Sequence, residues 1–447
     1  MRRDFFDLEG AGTTVTRELI SGVTTFMTMS YIIFVQPAVL ASCGMDFGAV
    51  MVATCVASAI ATFIMGLAAN YPIALAPAMG HNFYFAFTVC GTVVMGGLGY
   101  RWETALAAVF VSGSLFIILS FWGMRELILT IVPQSLKNAI AVGIGLLIAL
   151  VGLEWSGLVV AKPGTLVGLG ELGSPPVIAS IVGLFVMAAL LVVGVRGAII
   201  LGMLVSLIIS LGTGMVRYEG IVSTPPSIAP TLFKLDLGSL LGSTGILTVI
   251  FIFFFLDLFD TVGTLIGVSE QAGFMVEGKL PRARRALLAD AIGTVSGSIL
   301  GTSTVTSYIE SASGISEGGR TGLSNMVTGF LFLLSLFLYP LAKMVGGGFD
   351  VGGGNLLYPV IAPALILVGS FMFKGIVRIN WDRPVEALPA FITIVIMPLT
   401  FSITDGIAFG FIAYSVLATV KGGLREAHWL VHVISVLFLI RYVFLFQ

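Results

Sequence analysis

The sequence predicts an all-α polytopic membrane protein built as a 7+7 inverted repeat of transmembrane segments. Three observations carry that expectation. Of 447 residues, 57% are hydrophobic and only 10% are charged, against about 25% charged in a soluble domain. The apolar residues fall into stretches that approach or exceed the roughly 20 residues a straight helix needs to cross a bilayer. Lys and Arg collect in alternate connections, which orients the chain.

In chain order the apolar stretches cover 17–42, 47–69, 82–97, 103–122, 136–153, 176–194 and 197–214, then 246–267, 286–300, 310–316 with its flanks, 323–342, 357–375, 385–400 and 403–419. A long polar connection separates the two sets, from Arg217 to Lys234, with Pro225, Pro226 and Pro230 in it. Seven is odd, so the second set starts from the opposite side of the membrane. The expected divisions are 1–214 for the first repeat, 215–245 for an extracellular or periplasmic linker, 246–419 for the second repeat, and 420–447 for a C-terminal apolar helix. The stretch 428–445 contains His432 and Arg441, which leaves open a helix along the membrane interface as well as a crossing.

With a cytoplasmic N-terminus, sixteen Lys and Arg face inside, while only Arg101, Lys162, Arg217, Lys234 and Lys343 face outside. The basic cluster Lys279–Arg285 is then an inside anchor, not a nucleic-acid site. The opening MRRDFFDLEG lacks the apolar core of a signal peptide. Cys43, Cys55 and Cys90 have no metal-ligand spacing and read as packing residues.

Two segments are interrupted. Ala76–His81 (APAMGH) leads into Asn82, and Gly301–Ser307 (GTSTVTS) leads towards Glu310. The second is β-branched at alternate positions, which favours extended backbone. At membrane depth such backbone is tolerated only where protein or a cavity covers it. Counted from residues 17 and 246, Asn82 and Ser311 both fall 65 residues in, so the interruptions correspond. Corresponding interruptions in two halves point to a midplane substrate site; the plainer alternative is two loops between ordinary helices.

Carboxylates lie at the same level. Asp257 and Asp260 are three apart and are expected to share a helix face, with Thr261 and Thr264 continuing the polar stripe. Glu310 stands at the second break among Ser307, Tyr308, Ser311 and Ser313. A carboxylate in lipid is costly and is usually kept to pair, to line a cavity, or to carry substrate or a proton. Asp260 suits bracing the adjacent break as well as touching a ligand. Asn82 sits between His81 and the aromatic run Phe83, Tyr84, Phe85, Phe87. An amide, an imidazole and aromatic faces suit a flat, uncharged heterocycle. His81 reads equally well as a packing residue, and Tyr84 and Phe85 as core or lipid-facing aromatics.

The stretches LEGAGTTVTRELISGVTTFMTMSYIIFVQP (8–37), APAMGHNFYFAF (76–87), FLDLFDTVGTLIG (255–267), GTSTVTSYIESASGISEGGRTGL (301–323) and DRPVEALPAFITIVIMPLTFSITDGIAFGF (382–411) resemble the nucleobase/ascorbate transporter superfamily. Within it they resemble the adenine/guanine/hypoxanthine branch, the AzgA-like purine permeases. The resemblance runs from about Phe6 to Ile440. It implies core and gate domains, with a short strand and a half-helix in each of segments 3 and 10 and the substrate between them. It implies a proton symporter that imports free purine nucleobases such as guanine, hypoxanthine or adenine through a bacterial inner membrane. No cofactor or metal is implied beyond the proton gradient, and relatives commonly form a homodimer through the gate domain. Carried over by position, Asp257 is the base-binding acid of segment 8 and Asp260 its companion. Glu310 and Asn82 bind the base from segments 10 and 3. The wider expected shell adds His81, Tyr84, Phe85, Thr261, Ser307 and Ser311, and proton coupling is shared by Glu310, Asp257 and Asp260. Where the family pattern reads Gly-Met-Gly-Leu-Asn, residues 78–82 read Ala-Met-Gly-His-Asn, which leaves the preferred purine open.

Other classes fit less well. A facilitative channel or uniporter needs a pore but no titrating group. A membrane enzyme should show a nucleophile–base pair or a metal-ligand cluster, whereas the three His are His81, His428 and His432, the first distant in sequence from the others.

Overall fold

The computed structural model describes residues 5–92, 97–122, 132–162, 164–242, 245–276, 280–352, 356–422 and 427–444. Lys279 of the expected basic anchor lies outside them. Among the described residues, eight helices are long and apolar enough to cross a membrane.

The first span is Val15–Ala41, in two parts, α1 (Val15–Met29) and α2 (Ile32–Ala41, with Pro37 inside it). Thr14 caps α1 by accepting from the Arg17 N–H, and Asp46 caps α3 (Phe47–Ile64) by accepting from the Ala49 N–H at 2.7 Å. Segment 3 is a strand, β1 (Leu75–Pro77), followed by a short helix, α4 (Met79–Phe83), that loosens into wider turns over Tyr84–Val89. Next come α5 (Trp102–Trp122), α6 (Gln134–Trp155), the hairpin β2 (Val159–Lys162) and β3 (Leu166–Leu169), α7 (Pro175–Val192) and α8 (Ala198–Gly212).

After the proline-containing linker, α9 (Gly245–Ala272) and α10 (Ala283–Leu300) lead to β4 (Val305–Ser307) and the short α11 (Ser311–Ser316). At the end of α10 the chain turns into the strand at Gly301, whose φ of +103° is one that a side chain would oppose. The remainder comprises α12 (Leu323–Leu334), α13 (Tyr339–Gly346), the small hairpin β5 (Phe349–Asp350) and β6 (Leu356–Leu357), α14 (Ala362–Met372), α15 (Pro384–Thr400), α16 (Ile403–Gly422) and α17 (Trp429–Phe444). The hairpins β2–β3 and β5–β6 lie outside the sequence expectation. They are short excursions between spans that carry no alternating apolar pattern of useful length. The last helix packs on α16, where Tyr442 donates to Asp405 Oδ1 at 2.6 Å and Ser435 to the Phe411 carbonyl at 2.9 Å.

The inverted repeat shows in who packs on whom. Contact of α1 with α12 is mirrored by α9 with α5, and α3 with α12 by α10 with α5. In a second group, α7 with α8 is mirrored by α15 with α16, and α6 with α15 by α14 with α7. The first group is a core body and the second a gate body. Elements at the pseudo-twofold meet their own mates: α3 with α10, α6 with α14, and β1 with β4.

That last pair centres the fold. β1 and β4 run antiparallel with Leu75 opposite Ser307, Ala76 opposite Thr306 and Pro77 opposite Val305. Two strands leave outer edges unpaired, which is not sustainable in a bilayer. A threonine covers each edge. Thr62 of α3 donates to the Leu75 carbonyl at 3.1 Å and accepts from the Leu75 N–H at 3.0 Å. Thr294 of α10 does the same for Val305, at 2.9 and 3.2 Å.

Candidate functional site

The site is the space around the crossing of the two strands, walled by α1, α2 and α9. Tyr308, just past β4, donates from its backbone N–H to the Ala74 carbonyl at 2.9 Å and from its hydroxyl to the Pro77 carbonyl at 2.5 Å. Ser311 accepts from the Ala74 N–H at 3.0 Å. These bonds lock segment 10 to segment 3, and they make Ser311 a brace of β1.

Glu310 lies between Tyr308 and α11 and is half-buried. Its Oε1 accepts from the Tyr31 hydroxyl at 2.7 Å. It borders a cavity of about 270 Å³ lined also by Thr28, Ser313, Phe371 and the connection from Gly194 to Ile199. The cavity therefore separates the segment 10 half-helix, on the core, from α7, α8 and α14, on the gate. At its rim Arg196 of the gate forms an ion pair with Glu317 of the core.

On α4, Asn82 and His81 are buried. Asn82 Nδ2 donates to Gln36 Oε1 at 2.7 Å, while its Oδ1 has no hydrogen-bond partner among the described residues. Neither ring nitrogen of His81 has a hydrogen-bond partner among the described residues, and Nδ1 is 3.9 Å from Asp260 Oδ2. Ser307 Oγ and Thr304 Oγ1 are likewise buried without hydrogen-bond partners among the described residues. Buried polar atoms are normally satisfied, so these atoms are candidates to meet a ligand.

The two aspartates of α9 do not share a face as expected. Three residues on a helix of 3.6 per turn leave side chains about 60° apart, enough here to separate them. Asp257 is fully buried and points with Thr261 towards α10. Thr261 Oγ1 donates to Asp290 Oδ1 at 2.7 Å and lies 3.4 Å from Asp257 Oδ1. Asp260 instead has a side chain 43% exposed, accepts from Thr306 Oγ1 at 3.2 Å and faces His81. Tyr84 and Phe85 are both fully buried, with ring centroids 4.8 and 6.4 Å from that of Phe253.

Four contributors were not singled out from the sequence: Tyr31, Gln36, Asp290 and Glu18. Glu18 of α1 is fully buried and accepts from the N–H groups of Arg320, Thr321 and Ser324 at 2.7, 3.1 and 3.1 Å, and from the Ser324 hydroxyl at 2.5 Å. It caps α12 from another helix and fixes the far end of segment 10. Polar residues in apolar runs, such as Gln36 and Asp290, carried the same signal as Asp257; Tyr31 carried none.

Comparison with known proteins places this geometry. Residues 16–409 match the model of the permease family. The adenine permease AdeP of Escherichia coli is 44% identical over 441 residues, covering 98% of this chain and 95% of the relative. The guanine/hypoxanthine permease PbuO of Bacillus subtilis is 42% identical over 439 residues, covering 98% and 99%. Among solved structures, the transmembrane domain of the cyanobacterial bicarbonate transporter BicA superposes with a TM-score of 0.59 at 14% identity, covering 88% of this chain and 96% of that one. At that identity the likeness concerns the fold alone.

Proposed function

The chain belongs to the permease family, and we propose that within it the protein is a proton symporter of the AzgA-like branch that imports free purine nucleobases. What supports this reading is that segment 10 offers the carboxylate of Glu310 and segment 3 offers Asn82 Oδ1 and the His81 nitrogens, buried without hydrogen-bond partners among the described residues. A purine base brings ring N–H donors and ring-nitrogen or carbonyl acceptors in one plane, which meets such a set without any charge on the ligand. Relatives named for adenine and for guanine/hypoxanthine lie at nearly equal identity, which supports purine bases as the class and leaves the preferred member to His81.

In this reading Glu310 and Asn82 bind the base from opposite segments, and His81, Ser307 and Asp260 border it. Asp257 and Thr261 act one layer behind, with Asp290. Glu310, Asp257 and Asp260 share the coupling proton. The core body carries the site past the gate body, as the cavity between Glu310 and the Gly194–Ile199 connection suggests. The protein sits in the cell's inner membrane with its N-terminus cytoplasmic, as a homodimer through the gate.

Uptake of radiolabelled guanine, hypoxanthine, adenine, xanthine and uracil in a host lacking purine transport tests the reading. Concentrative uptake of at least one purine, abolished by a protonophore, is expected. Uptake that equilibrates without concentrating would remove the coupling, and no purine uptake would remove the substrate class.

A further inference from the structure

We infer that Gln36 is a positioning residue that turns Asn82 into a hydrogen-bond acceptor towards the ligand, so that bases are selected by a ring N–H group. The inference rests on the purine reading above and adds the residue and the polarity of the recognition.

Gln36 sits on α2, one residue before Pro37, fully buried. Its amide spans the two interrupted segments. Nε2 donates to Thr302 Oγ1 at 3.0 Å and to Ser303 Oγ at 2.8 Å, on the approach to β4. Oε1 accepts from Asn82 Nδ2 at 2.7 Å, on α4. The second hydrogen of Asn82 Nδ2 is directed at Met79 Sδ, 3.8 Å away.

Amide oxygen and nitrogen are told apart by their surroundings, and the contact with Gln36 weighs most here. A thioether accepts weakly and donates nothing. An Asn82 turned the other way would set its carbonyl oxygen 2.7 Å from Gln36 Oε1, acceptor against acceptor. With the amide hydrogens directed at Gln36 and Met79, the group remaining for a ligand is Oδ1, which has no hydrogen-bond partner among the described residues. A buried acceptor is costly until a donor arrives. Glu310, when ionised, is likewise an acceptor. The two interrupted segments therefore each read a donor edge of the base, and Gln36 fixes the choice on segment 3.

The test is binding calorimetry on purified full-length protein, with guanine and with guanines methylated in turn at N1, N7 and N9. Gln36→Met keeps the volume and removes the acceptor for Asn82. It is expected to weaken guanine binding tenfold or more. It should also narrow the discrimination against one methylated guanine, the same one for which Asn82→Leu narrows it. Glu310→Gln should narrow the discrimination against a different one. Gln36→Glu keeps an acceptor for Asn82 Nδ2 and should recover the discrimination lost in Gln36→Met. If Gln36→Met gives no folded protein, Thr302→Val combined with Ser303→Ala loosens Gln36 from its other end and should narrow the same ratio by a smaller factor. A lowered melting temperature with every methyl-guanine ratio at its wild-type value would make Gln36 a tether only and overturn the inference. Failure of the wild type to bind any of these purines would instead overturn the functional reading, and this inference with it.

Discussion

Segments 3 and 10 repeat one backbone device and fill it with different chemistry. In each, a three-residue strand is edged by a threonine from the neighbouring helix and continues into a short helix. Segment 3 is buried throughout from Tyr71 to Ala86, and its half-helix touches the gate at Gly80, where an added Cβ would lie 2.9 Å from Ile144 Cγ2. Segment 10 comes to the surface at Ile309 and Glu310. Its half-helix packs instead on its own core body, with Gly314 against Ser21 and Thr25 of α1, and faces the gate across a cavity. The pseudo-twofold supplies a symmetric scaffold; the asymmetry of side chains makes one half a neutral, close-fitting wall and the other a charged, accessible one.

That contrast breaks most completely at Glu18. Its carboxylate satisfies three backbone N–H groups and a hydroxyl in a fully buried position, and orphaned buried donors cost about 1–3 kcal/mol each. Glu18→Ala should lower stability by at least about 3 kcal/mol by that estimate, seen as a fall in the detergent-solubilised melting temperature. An unchanged melting temperature would mean that segment 10 needs no such anchor.

The two glycines sharpen the comparison. Gly80→Val crowds a sliding surface between core and gate, so uptake should fall tenfold or more while the melting temperature holds. Gly314→Ala crowds a surface inside the core, so it should cost stability, about 1–3 kcal/mol for overpacking, and reduce uptake only in proportion to folded protein. The same phenotype from both would erase the distinction between a moving and a fixed half-helix.

The smallest effect belongs to the rim. The Arg196–Glu317 pair joins gate to core, with the Arg side chain 57% exposed, and exposed pairs contribute under about 1 kcal/mol. Arg196→Ala should leave equilibrium base binding within about fivefold, as that energy allows, and accelerate dissociation in a stopped-flow displacement assay. Slower dissociation would show that the pair holds the cavity open instead of closing it.

Much of this scaffold was legible because breaks in membrane helices are written in composition. The run Gly301–Ser307 announced extended backbone and contains β4, while its counterpart Ala76–His81 marked a break at the matching position, where β1 starts one residue earlier and residues 79–81 are already helical. The orientation of side chains on intact helices was less legible. Asp257 and Asp260 look equivalent in a sequence, yet a rotation of about 60° puts one in the core–core interface with Thr261 and the other beside His81. Likewise Gln36 and Glu18 act on partners about 265 and 300 residues away, and no local pattern encodes which distant backbone they will meet. Tyr84 and Phe85, read as possible ligand contacts, are buried with Phe253, on a helix of the other repeat, among their neighbours.

The central claim is that Glu310 is the charged half of a purine site whose neutral half is Asn82. Hypoxanthine binding to purified wild type and Glu310→Gln, by calorimetry from about pH 5.5 to 8.5, tests it most directly. The substitution keeps the shape and removes the charge. Affinity should fall roughly tenfold or more, about 1.4 kcal/mol per decade, and the pH dependence of the wild type should flatten in the variant. Wild-type affinity with a wild-type pH profile would remove Glu310 from the site and contradict the account.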